Sequence, residues 1–235
     1  MSNHYFKFKQ FTVWQDRCAM KVGTDGVLLG AWVSVEGCKR LLDVGTGTGL
    51  IALLLAQRAP RAEITAVEID EAAAGQAAEN VAASPWQERV KIVCENFRTF
   101  APGQAFDLIV SNPPYFVDAL KCPDEQRSLA RHTGDLNYEL LFGGARRLLT
   151  EDGGIAVIVP AELGKLVTDT AWNYGFHPTH RTEVYTKPGK PCRRLLIRFG
   201  RQYAPCSEDK LYIESSAGGY SPEFAALVRD FYLDK

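Results

Sequence analysis

The sequence predicts an α/β protein organised on a mostly parallel sheet, and three observations carry that prediction. Through the middle of the chain, short apolar runs alternate with segments whose apolar residues recur at helical spacing. A glycine-rich turn, Gly45-Thr-Gly-Thr-Gly49, stands between the first of these strands and the helix after it. Near the end the alternation stops. Two strand-like runs are joined there by Lys187-Pro-Gly-Lys-Pro-Cys192, which reads as a hairpin rather than another crossover.

Tyr5–Val13 alternates aromatic and polar side chains and predicts a small N-terminal hairpin, followed by an apolar helix over Val27–Val33. Arg40–Val44 is the first core strand, and Leu50–Arg58 is a helix stopped by Pro60. Ile64–Ile69 is the second strand, and the Ala-rich segment Glu71–Ala83 is the next helix. Val90–Val93 and Phe106–Val110 are the third and fourth strands, the latter ending at Ser111-Asn-Pro-Pro-Tyr115. Leu136–Leu149 has helical spacing, and Glu151-Asp-Gly-Gly154 reads as a turn into the fifth strand, Ile155–Val159. Thr182–Thr186 and Leu195–Phe199 form the closing hairpin, which makes seven strands. Ser221 followed by Pro222 is an N-cap with proline at the first helical position, opening a helix to about Tyr232. With no repeat or linker, residues 1–235 read as one domain, with an extension over 1–24 and a core over 25–235.

The 46% hydrophobic and 23% charged residues match ordinary globular proportions and exclude disorder and coiled coil. The N-terminus lacks an apolar leader core, and the longest apolar run, Leu50–Ala56, falls far short of a membrane span. The cysteines at 18, 38, 94, 122, 192 and 206 are scattered, without a CxxC pair or a histidine at ligand spacing. No metal, no membrane and a reducing cytoplasm are the expectations.

Two motifs carry the chemistry. After the first strand, Asp43-Val-Gly45-Thr-Gly47-Thr-Gly49 lets a ligand approach the backbone closely. The spacing is GxGxG rather than the GxGxxG of dinucleotide binders. The Asp43 carboxylate repels a pyrophosphate and suits the cationic methionine end of S-adenosylmethionine. Glu68, at the end of the second strand, can accept hydrogen bonds from both hydroxyls of a ribose, and Asp70 is also readable as the cap of the next helix. Asn96 could read an adenine edge while Phe97 packs on its face; a plain turn residue beside a core phenylalanine fits the same two positions.

The second motif is Asn112-Pro113-Pro114-Tyr115 at the carboxyl end of the fourth strand. The exocyclic amine of adenine is a poor nucleophile because its lone pair is delocalised into the ring. The Asn112 side-chain oxygen and the Pro113 carbonyl can bind its two N–H groups and favour the increasingly positive nitrogen of the transition state. The two prolines, Pro113 and Pro114, stiffen the loop, and Tyr115 offers a flat face to a base taken out of its stack. A dehydrogenase has no use for this motif, and His132, His177 and His180 read as surface or RNA-contact residues rather than hydride-transfer acids.

Both motifs at this spacing resemble the class I amino-methyltransferases that act on adenine, guanine or glutamine nitrogens. Phe6-Lys-Phe8-Lys-Gln-Phe11, the run Asp16–Trp32, Ser84-Pro-Trp86, Ser111–Tyr115 and the ending Tyr220-Ser-Pro…Phe231-Tyr-Leu233 narrow the likeness. Together they resemble the bacterial tRNA(Val) adenine-37-N6 methyltransferase family from Tyr5 to Leu233. The resemblance implies a Rossmann-like class I methyltransferase fold, S-adenosylmethionine as cofactor, and the anticodon loop of tRNA(Val) as partner, without an obligate protein partner. It places Asp43, Gly45, Gly47, Gly49 and Glu68 around the cofactor, with Lys21 and Thr24 in a segment that closes over its methionine end. Many relatives carry Asp where Asn96 stands. A glutamine-N5 enzyme is disfavoured because only ~40 residues precede the glycine loop, too few for that family's helical N-terminal domain. A guanine-N2 rRNA enzyme shares the fold, and a non-catalytic RNA-binding module is disfavoured by the intact pair of motifs.

The formal net charge of -1, from 27 Lys+Arg against 28 Asp+Glu, hides an uneven distribution. Arg181–Arg201 carries seven cations against Glu183 alone, and residues 1–21 carry Lys7, Lys9, Arg17 and Lys21 against Asp16. Lys7, Lys9, Arg193, Arg194 and Arg198 are therefore expected to track RNA phosphates. Phe116–Asn137 is expected to form a lid over the base.

Overall fold

The alternation in residues 40–111 produces successive strand–helix crossovers, and their strands lie side by side and parallel. The computed structural model describes residues 3–18, 20–114 and 136–233. A two-stranded hairpin, β1 (Tyr5–Lys7) and β2 (Thr12–Trp14), precedes α1 (Thr24–Trp32). The core then runs β3 (Arg40–Val44), α2 (Leu50–Arg58), β4 (Glu63–Glu68), α3 (Glu71–Ala82), β5 (Val90–Cys94) and β6 (Phe106–Ser111). It continues with α4 (Tyr138–Leu148), β7 (Leu149–Pro160), α5 (Gly164–Asn173), β8 (His177–Tyr185), β9 (Cys192–Gly200), β10 (Ser207–Tyr212) and α6 (Pro222–Val228).

The sheet order is β10-β8-β9-β7-β6-β3-β4-β5. β9 runs antiparallel to both β7 and β8, so β8 and β9 are the expected hairpin. The sheet has eight strands where the sequence predicts seven. The added β10 pairs parallel with β8, and only Leu211 among its residues is buried, so it lacks an apolar run to announce it. A second difference is α5, whose buried face is made of Gly164, Val167, Thr170 and Ala171, small or polar residues that leave a weak helical stripe. The third lies in β7, which spans Leu149–Pro160 but shifts register against β6 from Phe106↔Leu149 to Leu108↔Gly154, so the expected turn at residues 151–154 is an irregularity within the strand. A Cβ on Gly154 would lie 2.8 Å from the Phe199 carbonyl oxygen, so this glycine serves close strand approach rather than chain reversal.

The two faces of the sheet bury separate cores. Leu41, Ile64, Leu108 and Ile158 face α1, α2 and α6, whereas Leu42, Ile109, Val157 and Ile197 face α4 and α5. α6 starts as expected, with the Ser221 hydroxyl accepting the Phe224 N–H at 3.0 Å, and ends earlier, at Val228. Among the described residues no helix is long and apolar enough to cross a membrane, and no cluster of three metal-ligating side chains occurs.

Candidate active site

The carboxyl ends of β3, β4, β5 and β6 surround one cavity of about 420 Å³, and each end contributes one of the expected motifs. Parallel strands place their loops on a common edge, which is why four motifs spread over seventy residues meet.

At the end of β3, Asp43 is fully buried beneath the glycine loop. Its Oδ2 accepts the Thr46 hydroxyl at 2.5 Å and the Ala52 N–H at 3.1 Å, tying the loop to the first turn of α2. Oδ1 is buried and finds no hydrogen-bond donor among the described residues, and burial pushes the carboxyl pKa up to about 7. Asp43 thus braces the loop from below, and Gly45 and Gly47 form the wall of the cavity. Gly47 has φ of 56°, a left-handed turn that a side chain would strain, and Gly49 at φ 81° backs onto Ala77 of α3.

At the end of β4, Glu68 turns its carboxylate back over the loop. Oε2 accepts the Gly47 N–H at 2.9 Å, and Oε1 accepts the N–H groups of Ile69 and Asp70 at 2.9 and 3.0 Å. Three donors hold an acid in the cavity wall, aimed by backbone rather than by rotamer preference. Asp70 is the N-cap of α3, accepting the Ala73 N–H at 2.8 Å, so its capping reading holds while it also lines the cavity.

After β5, Asn96 makes an Asx turn, its Oδ1 accepting the Arg98 N–H at 2.9 Å. Phe97 belongs to the core and also lines the cavity. It lies so close to α4 that a Cβ on Gly144 would sit 2.4 Å from its ring. At the end of β6, the Ser111 hydroxyl donates to the Val44 carbonyl at 2.8 Å, clamping the two central strand ends together. Asn112 and Pro114 open onto the cavity, and Pro113 is buried behind them. Tyr115 and residues 116–135 of the expected lid lie outside the described residues.

The N-terminal contribution differs in detail from the expectation. Lys21 is exposed and Thr24 begins α1, whereas Cys18 and Met20 supply this segment's part of the cavity wall. Two buried amides of α3 hold the segment there. Asn80 accepts the Trp14 N–H at 2.8 Å and donates to the carbonyls of Trp14 and Thr48, both at 2.9 Å. Gln76 accepts the Arg17 N–H at 3.1 Å and donates to Asp16 at 2.6 Å, and Arg17 pairs with Glu79. Gln76 and Asn80 stand four residues apart on the buried face of an alanine-rich helix, a signal that was available in the sequence. Leu136 and Leu140 complete the wall.

The expected RNA-contact residues divide into separate groups. Lys7 and Lys9 are exposed on the N-terminal hairpin. Arg193 is exposed at the start of β9, but Arg194 beside it donates from Nε to Asp25 in the first turn of α1 at 2.8 Å. Arg198 is half-buried in mid-sheet, paired in register with Ala156. Arg181 pairs with Glu183 and Glu208, and Arg201 donates to the carbonyls of Arg146 and Leu149. β10 brings Glu208 and Asp209 beside β8, so the basic count of residues 181–201 is partly offset by acids outside that window. The exposed cations that remain, Lys187, Lys190 and Arg193, gather at the hairpin tip. Since Arg194 lies opposite Pro160 and Ser111 opposite Val157, this tip projects beyond the edge that carries Asn112.

Comparison with known proteins gives the family. Residues 22–166 match the model of the methyltransferase small domain family. A tRNA1(Val) (adenine(37)-N6)-methyltransferase of Bacteroides thetaiotaomicron is 52% identical over 99% of both chains. A protein of the same name from Tolumonas auensis is 48% identical, over 99% of this chain and 98% of its own. Among solved structures, a predicted O-methyltransferase from Agrobacterium tumefaciens superposes with a TM-score of 0.69 at 18% identity, covering 88% of this chain and 96% of its own. That likeness concerns the fold, whereas the sequence matches span nearly the whole chain. The chain belongs to the methyltransferase small domain family and, within it, to the tRNA1(Val) (adenine(37)-N6)-methyltransferase family.

Proposed function

We propose that this chain transfers a methyl group from S-adenosylmethionine to the exocyclic N6 amine of adenine 37, beside the anticodon of tRNA(Val). The observation that carries this reading is that Asn112 and Pro114 open onto the same cavity as Gly45, Gly47 and Glu68. This supports an acceptor site for an amine next to a site for an adenosine-bearing donor. The relatives that match over their full length bear the name of this activity.

The cavity's donor set fits the cofactor. Glu68 presents an acceptor for ribose hydroxyls, Phe97 and Ile69 give apolar surface for a purine, and Asn96 stands beside Phe97 at its edge. The left-handed Gly47 leaves the loop open where a Cβ would project. When bound, S-adenosylmethionine supplies a methyl group on a cationic sulfur.

The chain's own residues prepare the acceptor. The Asn112 side-chain oxygen and the Pro113 carbonyl accept the two N–H groups of the amine, holding it for in-line approach. Their negative ends lie where positive charge grows on nitrogen, so they bind the transition state more strongly than the flat ground-state amine. Pro113 and Pro114 fix the backbone that aims the carbonyl, and Ser111 anchors that backbone to β3. Tyr115 is assigned the stacking face for the extruded base. The cations of the hairpin tip and of the N-terminal hairpin, Arg193, Lys7 and Lys9 among them, are assigned to the phosphates.

A tRNA(Val) transcript and its variant with guanine at position 37 test the site assignment. Methyl incorporation into the first and not the second is expected; equal incorporation would move the target elsewhere in the RNA.

A further inference from the structure

The N-terminal hairpin has two unlike faces. Phe6 and Val13 turn inward, where Phe6 packs on Phe8 and Tyr232, and Phe8 stacks on Phe11 at 4.6 Å. That side anchors the hairpin to the core. The register places Tyr5 opposite Trp14 and Lys7 opposite Thr12 on the outward face. Tyr5 and Trp14 remain 44% and 48% exposed, their ring centroids 5.2 Å apart. A cross-strand aromatic pair of this kind stabilises a hairpin modestly. It does not account for two large π-faces turned to water when the inward side already secures the strands.

The backbone beneath the pair is unusually fixed. Asn80 binds both the N–H and the C=O of Trp14 and, with the same amide, the Thr48 carbonyl of the glycine loop. The aromatic pair is therefore rigidly connected to the cofactor loop. Trp14 is four residues from Cys18 on the cavity wall, so the two Cα atoms are at most about 14 Å apart. Lys7 shares the outward face with Thr12, and residues 1–21 carry four cations against one acid, with Arg17 among them paired to Glu79.

From these observations we infer that Tyr5 and Trp14 form a stacking platform for an unpaired nucleotide of the RNA substrate, with Lys7 on its phosphate. The inference rests on the proposed RNA substrate and adds a second point of attachment outside the methyl-transfer cavity. Aromatic faces take any base, so the platform contributes affinity and orientation rather than sequence choice.

The test measures tRNA binding by the full chain at several salt concentrations, alongside cofactor affinity and solution mass. Trp14→Ala and Tyr5→Ala are each expected to weaken tRNA binding about tenfold, with the salt slope and cofactor affinity unchanged. Trp14→Leu keeps apolar bulk and should bind weakly, whereas Trp14→Phe should restore most of the affinity. Lys7→Ala should instead flatten the salt slope by roughly one phosphate's worth. Wild-type tRNA affinity in Trp14→Ala and Trp14→Leu would overturn the platform, and so would a concentration-dependent dimer that Trp14→Ala dissociates without changing RNA binding. Failure of the wild-type chain to bind any tRNA would instead overturn the RNA reading itself.

Discussion

The two halves of the sheet secure their polar groups in different ways. Around the cavity, from β3 to β5, most partners of the motif side chains are near in sequence: Asp43 with Thr46 and Ala52, Glu68 with Ile69 and Asp70, Asn96 with Arg98, while Glu68 also reaches back to the Gly47 N–H. At the other end, from β7 to β10, partners come from far along the chain: Arg194 with Asp25, Arg181 with Glu208, Arg201 with Arg146, and the Trp32 indole with Thr182. The first half is a set of loops braced largely by their own residues, with Glu68 and Asn80 tying the glycine loop to its neighbours. The second is a surface whose free charge is decided by distant neighbours.

The largest expected effect breaks the comparison at its seam, where β6 meets the cavity. Asn112→Ala should lower turnover on the order of 10²-fold with cofactor affinity nearly unchanged, read by single-turnover kinetics and calorimetry. Near-normal turnover would remove Asn112 from the chemistry. Within the cofactor half, Glu68→Ala should weaken cofactor binding roughly 10- to 100-fold, the range for hydrogen bonds to a charged group. Its binding of tRNA should not change; a loss there would mean that the two halves are not separable.

In the other half, neighbouring arginines should behave differently. Lys190→Glu combined with Arg193→Glu should weaken tRNA binding and flatten its salt slope by about 1.5, two phosphates' worth. Arg194→Ala should mainly lower the melting temperature by a few degrees, because it severs β9 from α1. A slope change in Arg194→Ala as large as in the double variant would erase the distinction.

A further effect concerns the brace under the glycine loop. Asp43 has a pKa of about 7 in the fold against 3.8 in the unfolded chain, so the folded state keeps its proton longer. The stability it contributes is complete below about pH 3.8 and is lost as pH rises through about 7. Asp43→Asn should therefore flatten the melting temperature between pH 4 and pH 7, and a profile parallel to that of the wild type would show that Asp43 ionises normally.

This difference also explains what was legible in the sequence. The cofactor loops announce themselves because their logic is local: glycines at fixed spacing, an acid at a strand end, a proline pair after the next strand. Five parallel strands and the β8–β9 hairpin were readable from their apolar runs. β10, with one buried residue, and α5, with small buried residues, were not. Nor could residue counting show that β10 would bring Glu208 to Arg181, or that Asp25 would engage Arg194. Cys18 and Met20 reach the cavity through Gln76 and Asn80, some sixty residues away, a contact that no window of local sequence contains. Asn96 lines the cavity as its place after the third strand suggests, but its Asx turn depends on backbone geometry after β5.

The most direct measurement incubates the protein with bulk tRNA and methyl-labelled S-adenosylmethionine, digests the RNA to nucleosides and identifies the labelled product. N6-methyladenosine is the expected labelled nucleoside. Label in guanosine, or in protein glutamine with none in tRNA, would contradict it.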